Sequence, residues 1–411
     1  MKRLVVCCDG TWKAENSSTV SNIVKIARTI PATAPAADGS GETVCQQVIY
    51  VSGPGARGFT ADRFFGGAFG MGLWANLSAA YWQIALNWEP GDELFIFGFS
   101  RGAYTARSLV GLIDKIGIMR AKSMLEGHYP TALRMYRRRA SKLPWVRKPP
   151  SERDWREFRR VHSHRDRWID FLGVFDTVGA LGVPGITSWR HRFHNVALSQ
   201  HVLCARHALA IDDRRRAFTP CLWEVPIELG VKYDRVKHRD AERVEQVWFR
   251  GVHTDVGGGY PECGLSDASL RWMAAEAEAE GLVFDRALLD DVMVGCQGIE
   301  DHGKQHPSCG PLYWVDNLLR AVFRPNPLRF HPTLRRRLEI PGDHGVLLAS
   351  TVYEDESYRP ANLQRWLHAR NGEPPEEFVE IVPDAPSAVV GTPRNGSRPD
   401  AEAELSAPAA R

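Results

Sequence analysis

The chain is expected to adopt an α/β fold, with a mainly parallel central sheet and helices on both faces. Three observations carry that expectation. Short apolar runs without polar alternation recur at residues 4–8, 94–97 and 171–175, the pattern of strands buried on both faces. Segments of helical spacing stand between them; Ala106, Leu109, Val110 and Ile113, for example, recur at three and four. Turn clusters such as Gly53-Pro54-Gly55 and Pro90-Gly91-Asp92 mark the boundaries.

In chain order, residues 4–8 form the first strand, which ends in Asp9-Gly10-Thr11-Trp12. Helical spacing over 22–28 and a Pro/Ala/Gly-rich loop over 29–42 lead to a second strand at 44–51. A glycine-rich, aromatic stretch from Gly66 to Gly72 runs into a helix that ends near Leu86. Residues 94–97 and the helix after Ala103 come next. Residues 118–167 are rich in Arg, Trp and Pro and read as an insertion over the carboxyl edge of the sheet, where a lid would lie. The sheet resumes at 168–175 and ends in Asp176-Thr177-Val178-Gly179. A helix is expected over 199–212, strands over 222–226 and 244–250, and a helix over 267–280. Residues 284–330 are expected to add a second part of the lid. Residues 1–382 thus read as one catalytic domain, and 383–411, rich in Pro, Ala, Ser and Glu, as a disordered tail.

Composition narrows the function. At 411 residues, with 44% hydrophobic and 25% charged residues, the chain has the make-up of an ordinary globular protein with a sizeable core. A formal net charge of +3 is too small to argue for a nucleic-acid partner. The basic runs Arg137-Arg138-Arg139, Arg214-Arg215-Arg216 and Arg335-Arg336-Arg337 read as solvated helix faces, with peripheral contact to an anionic membrane left open. Eight cysteines without a Cys-x-x-Cys pair read as small core residues in a reducing compartment rather than a disulfide framework. The first residues pass straight into a strand with no signal-peptide core, and no segment approaches a transmembrane length, so a cytoplasmic, soluble product is expected.

The informative stretch is Gly98-Phe99-Ser100-Arg101-Gly102, a Gly-x-Ser-x-Gly pattern with a strand before it and a helix after it. Entering a helix with almost no loop strains the middle residue and lifts its side chain above the sheet edge, at a helix N-terminus that favours negative charge. Ser100 is therefore the candidate nucleophile. A serine hydroxyl needs a histidine to remove its proton, and that histidine needs an acid to fix its tautomer. Asp176 follows the apolar run 171–175, and His253 follows 247–250, so both fall at strand ends on the edge where Ser100 would project. Asp255 stands as a rival for the acid, and a helix cap as the bland alternative for Asp176. An oxyanion hole needs two backbone amides. Arg101, directly after the nucleophile, is one candidate; Gly10 and Thr11 at the end of the first strand offer the other. No metal or organic cofactor is required. A phosphatase or metal reading, from Asp9-Gly10-Thr11 or from Asp301, His302 and His306, is weaker: Cys7 stands where an aspartyl-phosphate enzyme has a second Asp.

The segments Cys8-Asp9-Gly10-Thr11-Trp12, Gly98 to Arg107, Phe175-Asp176-Thr177-Val178-Gly179 and Gly251 to Tyr260 together resemble the DUF2235 family, which includes type VI secretion phospholipase effectors of the Tle1 group. The resemblance extends to His331-Pro332 and to Tyr358-Arg359-Pro360-Ala361-Asn362-Leu363. It implies an α/β-hydrolase domain with Ser100, Asp176 and His253 as its triad, an ester of a lipid as substrate, and delivery by type VI secretion. A non-lipid esterase and a non-catalytic binding protein of the same fold remain the alternatives.

Overall fold

The computed structural model of the chain describes residues 1–10, 19–36, 41–53, 66–138, 148–178, 198–215, 218–223, 243–294, 303–308, 336, 338, 347–353, 355–369 and 378–379. Among these, nine strands form one sheet: β1 (Lys2–Cys8), β2 (Thr33–Pro35), β3 (Thr43–Val51), β4 (Glu93–Phe99), β5 (Ile169–Phe175), β6 (Val202–Ala210), β7 (Val244–Phe249), β8 (Leu347–Ala349) and β9 (Phe378–Val379). Their order is β2-β3-β1-β4-β5-β6-β7-β8-β9. Every pairing is parallel except β2 with β3, at the sheet edge. The register aligns the carboxyl ends: Cys8 pairs with Gly98, Phe99 with Phe175, Phe175 with Ala208, and Ala210 with Phe249.

The sheet splits the core in two because side chains alternate across it. On one face Val5, Cys7, Phe95, Phe97 and Phe171 pack with helices α1 (Asn22–Thr29) and α8 (Gly264–Ala279). On the other, Leu4, Val6, Leu94, Ile96, Leu172 and Val174 pack with α2 (Gly66–Asn87) and α3 (Arg101–Ile116). Burial on both sides explains the unbroken apolar runs of β1 and β4.

β6 corrects one expectation. Residues 199–212 were expected to be helical, yet Val202–Ala210 is a strand between β5 and β7, buried at every position but Leu203. Its alanines pack closely on both faces, and the two hydrogen-bonded neighbours outweigh the helix propensity of Ala and Leu. Leu222 and Trp223 belong to no strand, and 224–226 lie outside the described residues.

The described parts of 118–167 form α4 (Ala121–Leu125), α5 (Tyr129–Tyr136) and α6 (Glu152–His162). They rest on the helix layer: the Tyr129 ring stacks on Tyr81 of α2, and Ser163 after α6 donates to Ile116 O at the end of α3. That end of α3 is the one away from Ser100, so α6 packs on the far end of α3, while Tyr136 of α5 lies against Trp74 of α2; residues 139–147 of the expected lid lie outside the described residues. Of 284–330, α9 (Arg286–Val294) follows Asp285, whose amide donates to Thr29 O at the end of α1. Residues 295–302 and 309–330 of the expected lid, and the expected tail at 383–411, lie outside the described residues. Cys7, Cys8, Cys45, Cys204 and Cys221 are free, but Cys263 is disulfide-bonded and Cys45 is exposed, so the cysteines are not all simple reduced core residues.

α1 is tied to the carboxyl edge by polar contacts. Ser21 caps it, accepting from the Val24 amide at 3.3 Å. Lys25 pairs with Asp267 of α8 at 2.6 Å, and both are buried. The Asn22 amide donates to Val256 O, Ser266 O and Ser269 Oγ. Replacing that donor by a carboxylate would turn three acceptors against a buried charge. Asn22→Asp should therefore lower stability by at least about 2 kcal/mol, read as a lower urea midpoint in equilibrium unfolding.

Candidate active site

Four strand ends meet at one edge. β4 passes into α3 through Ser100 alone, whose backbone sits at φ 58 and ψ −120. A non-glycine residue at positive φ is strained, and it is held here by its surroundings. The Ser100 amide donates to Phe175 O at 3.1 Å, which extends the β4–β5 ladder into the turn. The flanking glycines make room: a Cβ on Gly98 would lie 2.6 Å from Ala103 Cα, and one on Gly102 2.1 Å from Cys8 O. α3 is thus pressed against the end of β1 with no side chain between.

Asp176 follows β5 and is also at positive φ, 36°, with its amide donating to Ala208 O at 2.7 Å. His253 begins α7 (His253–Gly257), the short helix after β7. The structure brings the three side chains together. Ser100 Oγ lies 2.7 Å from His253 Nε2, and His253 Nδ1 lies 2.6 Å from Asp176 Oδ2. The hydroxyl can donate to Nε2 while Nδ1–H donates to the carboxylate, so one tautomer satisfies both contacts. All three residues are buried, and the His253 ring is flanked by Phe99 and Phe218.

Asp255 does something else. Its carboxylate accepts from the Val252 amide at 2.9 Å and pairs with His306 Nδ1 at 2.7 Å, so it orders the turn that carries His253. His306 also reaches Glu262 and stacks on Tyr260. Asp301 and His302 lie outside the described residues. Among the described residues, no group of three or more His, Cys, Asp and Glu side chains is placed to hold a metal ion.

The proposed oxyanion donors fare differently. Arg101 is the first residue of α3, so its amide lies at the helix N-terminus beside Ser100. The Gly10 amide, by contrast, donates to Asp9 Oδ1 at 2.6 Å, which corrects its assignment as a donor to substrate. The buried Asp9 carboxylate captures it while also accepting from Ser21 Oγ and Tyr50 OH, both at 2.7 Å. Gly10 instead supplies proximity: a Cβ there would lie 3.4 Å from Ser100 Cβ. Thr11 lies outside the described residues.

Two charged residues were missed. Arg336 is buried and forks onto Asp176, Nη1 to Oδ1 at 2.6 Å and Nη2 to Oδ2 at 2.9 Å. Asp213, one turn after β6, accepts from the His253 amide at 3.2 Å and pairs with Arg215. Burial alone would raise the Asp176 carboxyl, but the Arg336 charge and the His253 hydrogen bond hold it well below the usual carboxylate range. Burial lowers His253 below the ordinary imidazole value, opposed by Asp176 and Asp213. His207, which accepts from the Thr177 amide, is pushed down to about 3 by burial and by Arg107. The arrangement is a neutral base between a hydroxyl and an ionised acid, which suits proton removal from Ser100. Nothing in the local pattern marked Arg336, the middle of a basic triplet. Asp213 had a signal, since it follows β6, but the segment was expected to be helical.

The segment around Tyr358 supports this loop. Tyr358 OH donates to Asp212 Oδ2 at 2.7 Å, the same oxygen that accepts from the Gly251 amide, and Asn362 donates to Ile211 O at 2.9 Å.

Comparison with known proteins gives a family match. The model of the family described as "T6SS, Phospholipase effector Tle1-like, catalytic domain" matches residues 2–276. The uncharacterized protein YEL023C of Saccharomyces cerevisiae is 28% identical over 238 residues, 53% of this chain and 32% of that protein. The aligned part thus spans about a third of that relative's length. Two solved structures show similarity. One, an uncharacterized protein from Pseudomonas aeruginosa, is 18% identical at a TM-score of 0.35, covering 69% of this chain and 46% of that one. The other, a Tle1 effector bound to the VgrG spike of the type VI secretion system, is 12% identical at a TM-score of 0.40, covering 76% and 82%.

The turn geometry is open to a direct check. Gly102→Ala would drive a methyl group into the Cys8 and Asp9 carbonyls, so α3 must shift away from β1. The variant should melt several degrees lower, the equivalent of about 1–3 kcal/mol, in a thermal scan followed by circular dichroism.

Proposed function

The chain belongs to the family of type VI secretion Tle1-like phospholipase effector catalytic domains, and from that premise we propose that it is a serine hydrolase. Its substrate is a carboxylic ester of a lipid, cleaved in the manner of a phospholipase A. The observation that carries the reading is the hydrogen-bonded chain from Ser100 through His253 to Asp176, with contacts of 2.7 and 2.6 Å, at a strand-to-helix turn.

In the reaction, Ser100 Oγ attacks the acyl carbonyl as His253 Nε2 takes its proton. Asp176 holds the Nδ1–H tautomer and stabilises the imidazolium that forms. The carbonyl oxygen, now negative, is met by the Arg101 amide at the N-terminus of α3. His253 passes its proton to the departing alcohol, leaving an acyl-Ser100 ester, and water activated by the same histidine completes the cycle. The family supports delivery by a type VI secretion apparatus, and a lipid substrate implies peripheral contact with a bilayer. No helix among the described residues is long and apolar enough to cross a membrane.

The test is hydrolysis of phosphatidylglycerol and phosphatidylethanolamine vesicles and of short p-nitrophenyl esters by purified protein. Ser100→Ala should lower turnover at least about 10³-fold with an unchanged circular dichroism spectrum; turnover near that of the parent would remove Ser100 from its role. Turnover of p-nitrophenyl esters with none of the vesicles would make the protein a non-lipid esterase. Asp176→Asn should cost far more than Asp255→Asn, on the order of 10³-fold or greater against less than about 10-fold.

The pH dependence has a defined sign. The base must be neutral, and burial lowers the His253 value. Activity should therefore hold from neutrality down past the ordinary imidazole value near about 6.5 and fall only on further acidification. An acid limb centred above pH 7 in kcat/KM would contradict this.

A further inference from the structure

Arg336 lies 160 positions beyond Asp176 in sequence, yet it makes the densest set of contacts to that carboxylate. Each oxygen of Asp176 has two donors. Oδ1 accepts from the Ala210 amide at 3.1 Å and from Arg336 Nη1 at 2.6 Å. Oδ2 accepts from His253 Nδ1 at 2.6 Å and from Arg336 Nη2 at 2.9 Å. The same guanidinium donates to Ala210 O at 2.8 Å and to Phe218 O, so the fork is itself fixed at both nitrogens. Without Arg336 the carboxylate would keep one donor on each oxygen, the Ala210 amide and His253; a planar two-pronged donor that spans both oxygens further restricts rotation about the terminal bond.

The charges around His253 point the same way. Asp176 and Asp213 face it as anions, with Arg336 and Arg215 as their cationic partners. His207, adjoining through Thr177, stays neutral. Each guanidinium thus offsets one carboxylate that would otherwise favour the imidazolium, and burial of the ring opposes its protonation further.

We propose that Arg336 is a positioning residue for the reaction at Ser100: its fork fixes the Asp176 carboxylate toward His253 Nδ1, and its charge keeps His253 a neutral base in the resting enzyme. The proposal rests on the reading of Ser100, His253 and Asp176 as the reacting groups. It makes the acid a ligand shared among His253, Arg336 and the Ala210 amide, with full stabilisation of the imidazolium given up in exchange for a base that is ready at lower pH.

The test is the pH profile of kcat/KM for p-nitrophenyl butyrate hydrolysis by the full chain. Arg336→Met removes the cation and leaves two carboxylates around His253, so the imidazolium is favoured and the acid limb should move up by about one pH unit or more. Arg336→Lys keeps the charge but cannot span both carboxylate oxygens; its limb should stay within about half a unit of the parent while kcat falls roughly 10-fold. An Arg336→Met profile that superposes on the parent's, in a folded variant, overturns the positioning role and leaves the arginine a structural cross-link. If the methionine variant does not fold, the lysine variant decides: parental kcat overturns the proposal, and reduced kcat with an unmoved limb supports it. Failure of the underlying reading looks different, since Ser100→Ala would then hydrolyse the ester as fast as the parent.

Discussion

The structure depends on one constraint, the passage from β4 to α3 through a single residue. With no loop to absorb the change of direction, Ser100 is forced to φ 58; glycine at 98 lets Ala103 of α3 lie against β4, and glycine at 102 lets α3 approach the β1 carbonyls so closely. That approach fixes where the first turn of α3 points. Because β1, β4, β5, β6 and β7 are all parallel, whatever follows each of them appears at the same edge. Asp9, Ser100, Asp176, Asp213 and His253 are gathered there by topology.

Gathering charge in a buried edge has an energetic cost, and the contacts around His253 show how it is met. Asp176 and Asp213 each have an arginine, and Asp9 accepts from the Gly10 amide, Ser21 Oγ and Tyr50 OH. Breaking a buried pair of this kind leaves an uncompensated charge, typically a loss of about 3–5 kcal/mol. Asp255 belongs to a separate network with His306 and Glu262, which shapes the turn without touching the imidazole ring. Two acids near one histidine therefore have distinct work, one on the ring and one on the backbone that carries it.

Much of this was legible in the sequence, for physical reasons that also mark where legibility stops. Strands buried on both faces declare themselves by unbroken apolar runs, so β1, β4 and β5 were apparent; β3 and β7, which carry Gln46-Gln47 and Glu245-Gln246, were also read as strands, and α1, α3 and α8 as helices. β6 was not, because the alanines that let it pack between β5 and β7 carry the same signal as a helix. That one misreading hid Asp213, since an acid after a helix suggests nothing. Ser100, His253 and Asp176 stood out as polar residues at strand ends, and the structure places them within hydrogen-bonding distance of one another. Arg336 had no such mark. A basic triplet reads as a solvated surface, and only the folded chain shows that its middle member turns inward to a carboxylate 160 positions away. The Gly10 amide was misassigned for a similar reason, since its capture by Asp9 depends on a side-chain rotamer rather than on residue type.

The central claim is that Ser100 is an activated nucleophile. The most direct measurement is the intact mass of the protein after reaction with a fluorophosphonate, followed by peptide mapping. A single adduct on the peptide containing Ser100, abolished by prior acid denaturation, is the expected result. A folded protein that takes up no adduct, or takes it up at another serine, would contradict the account.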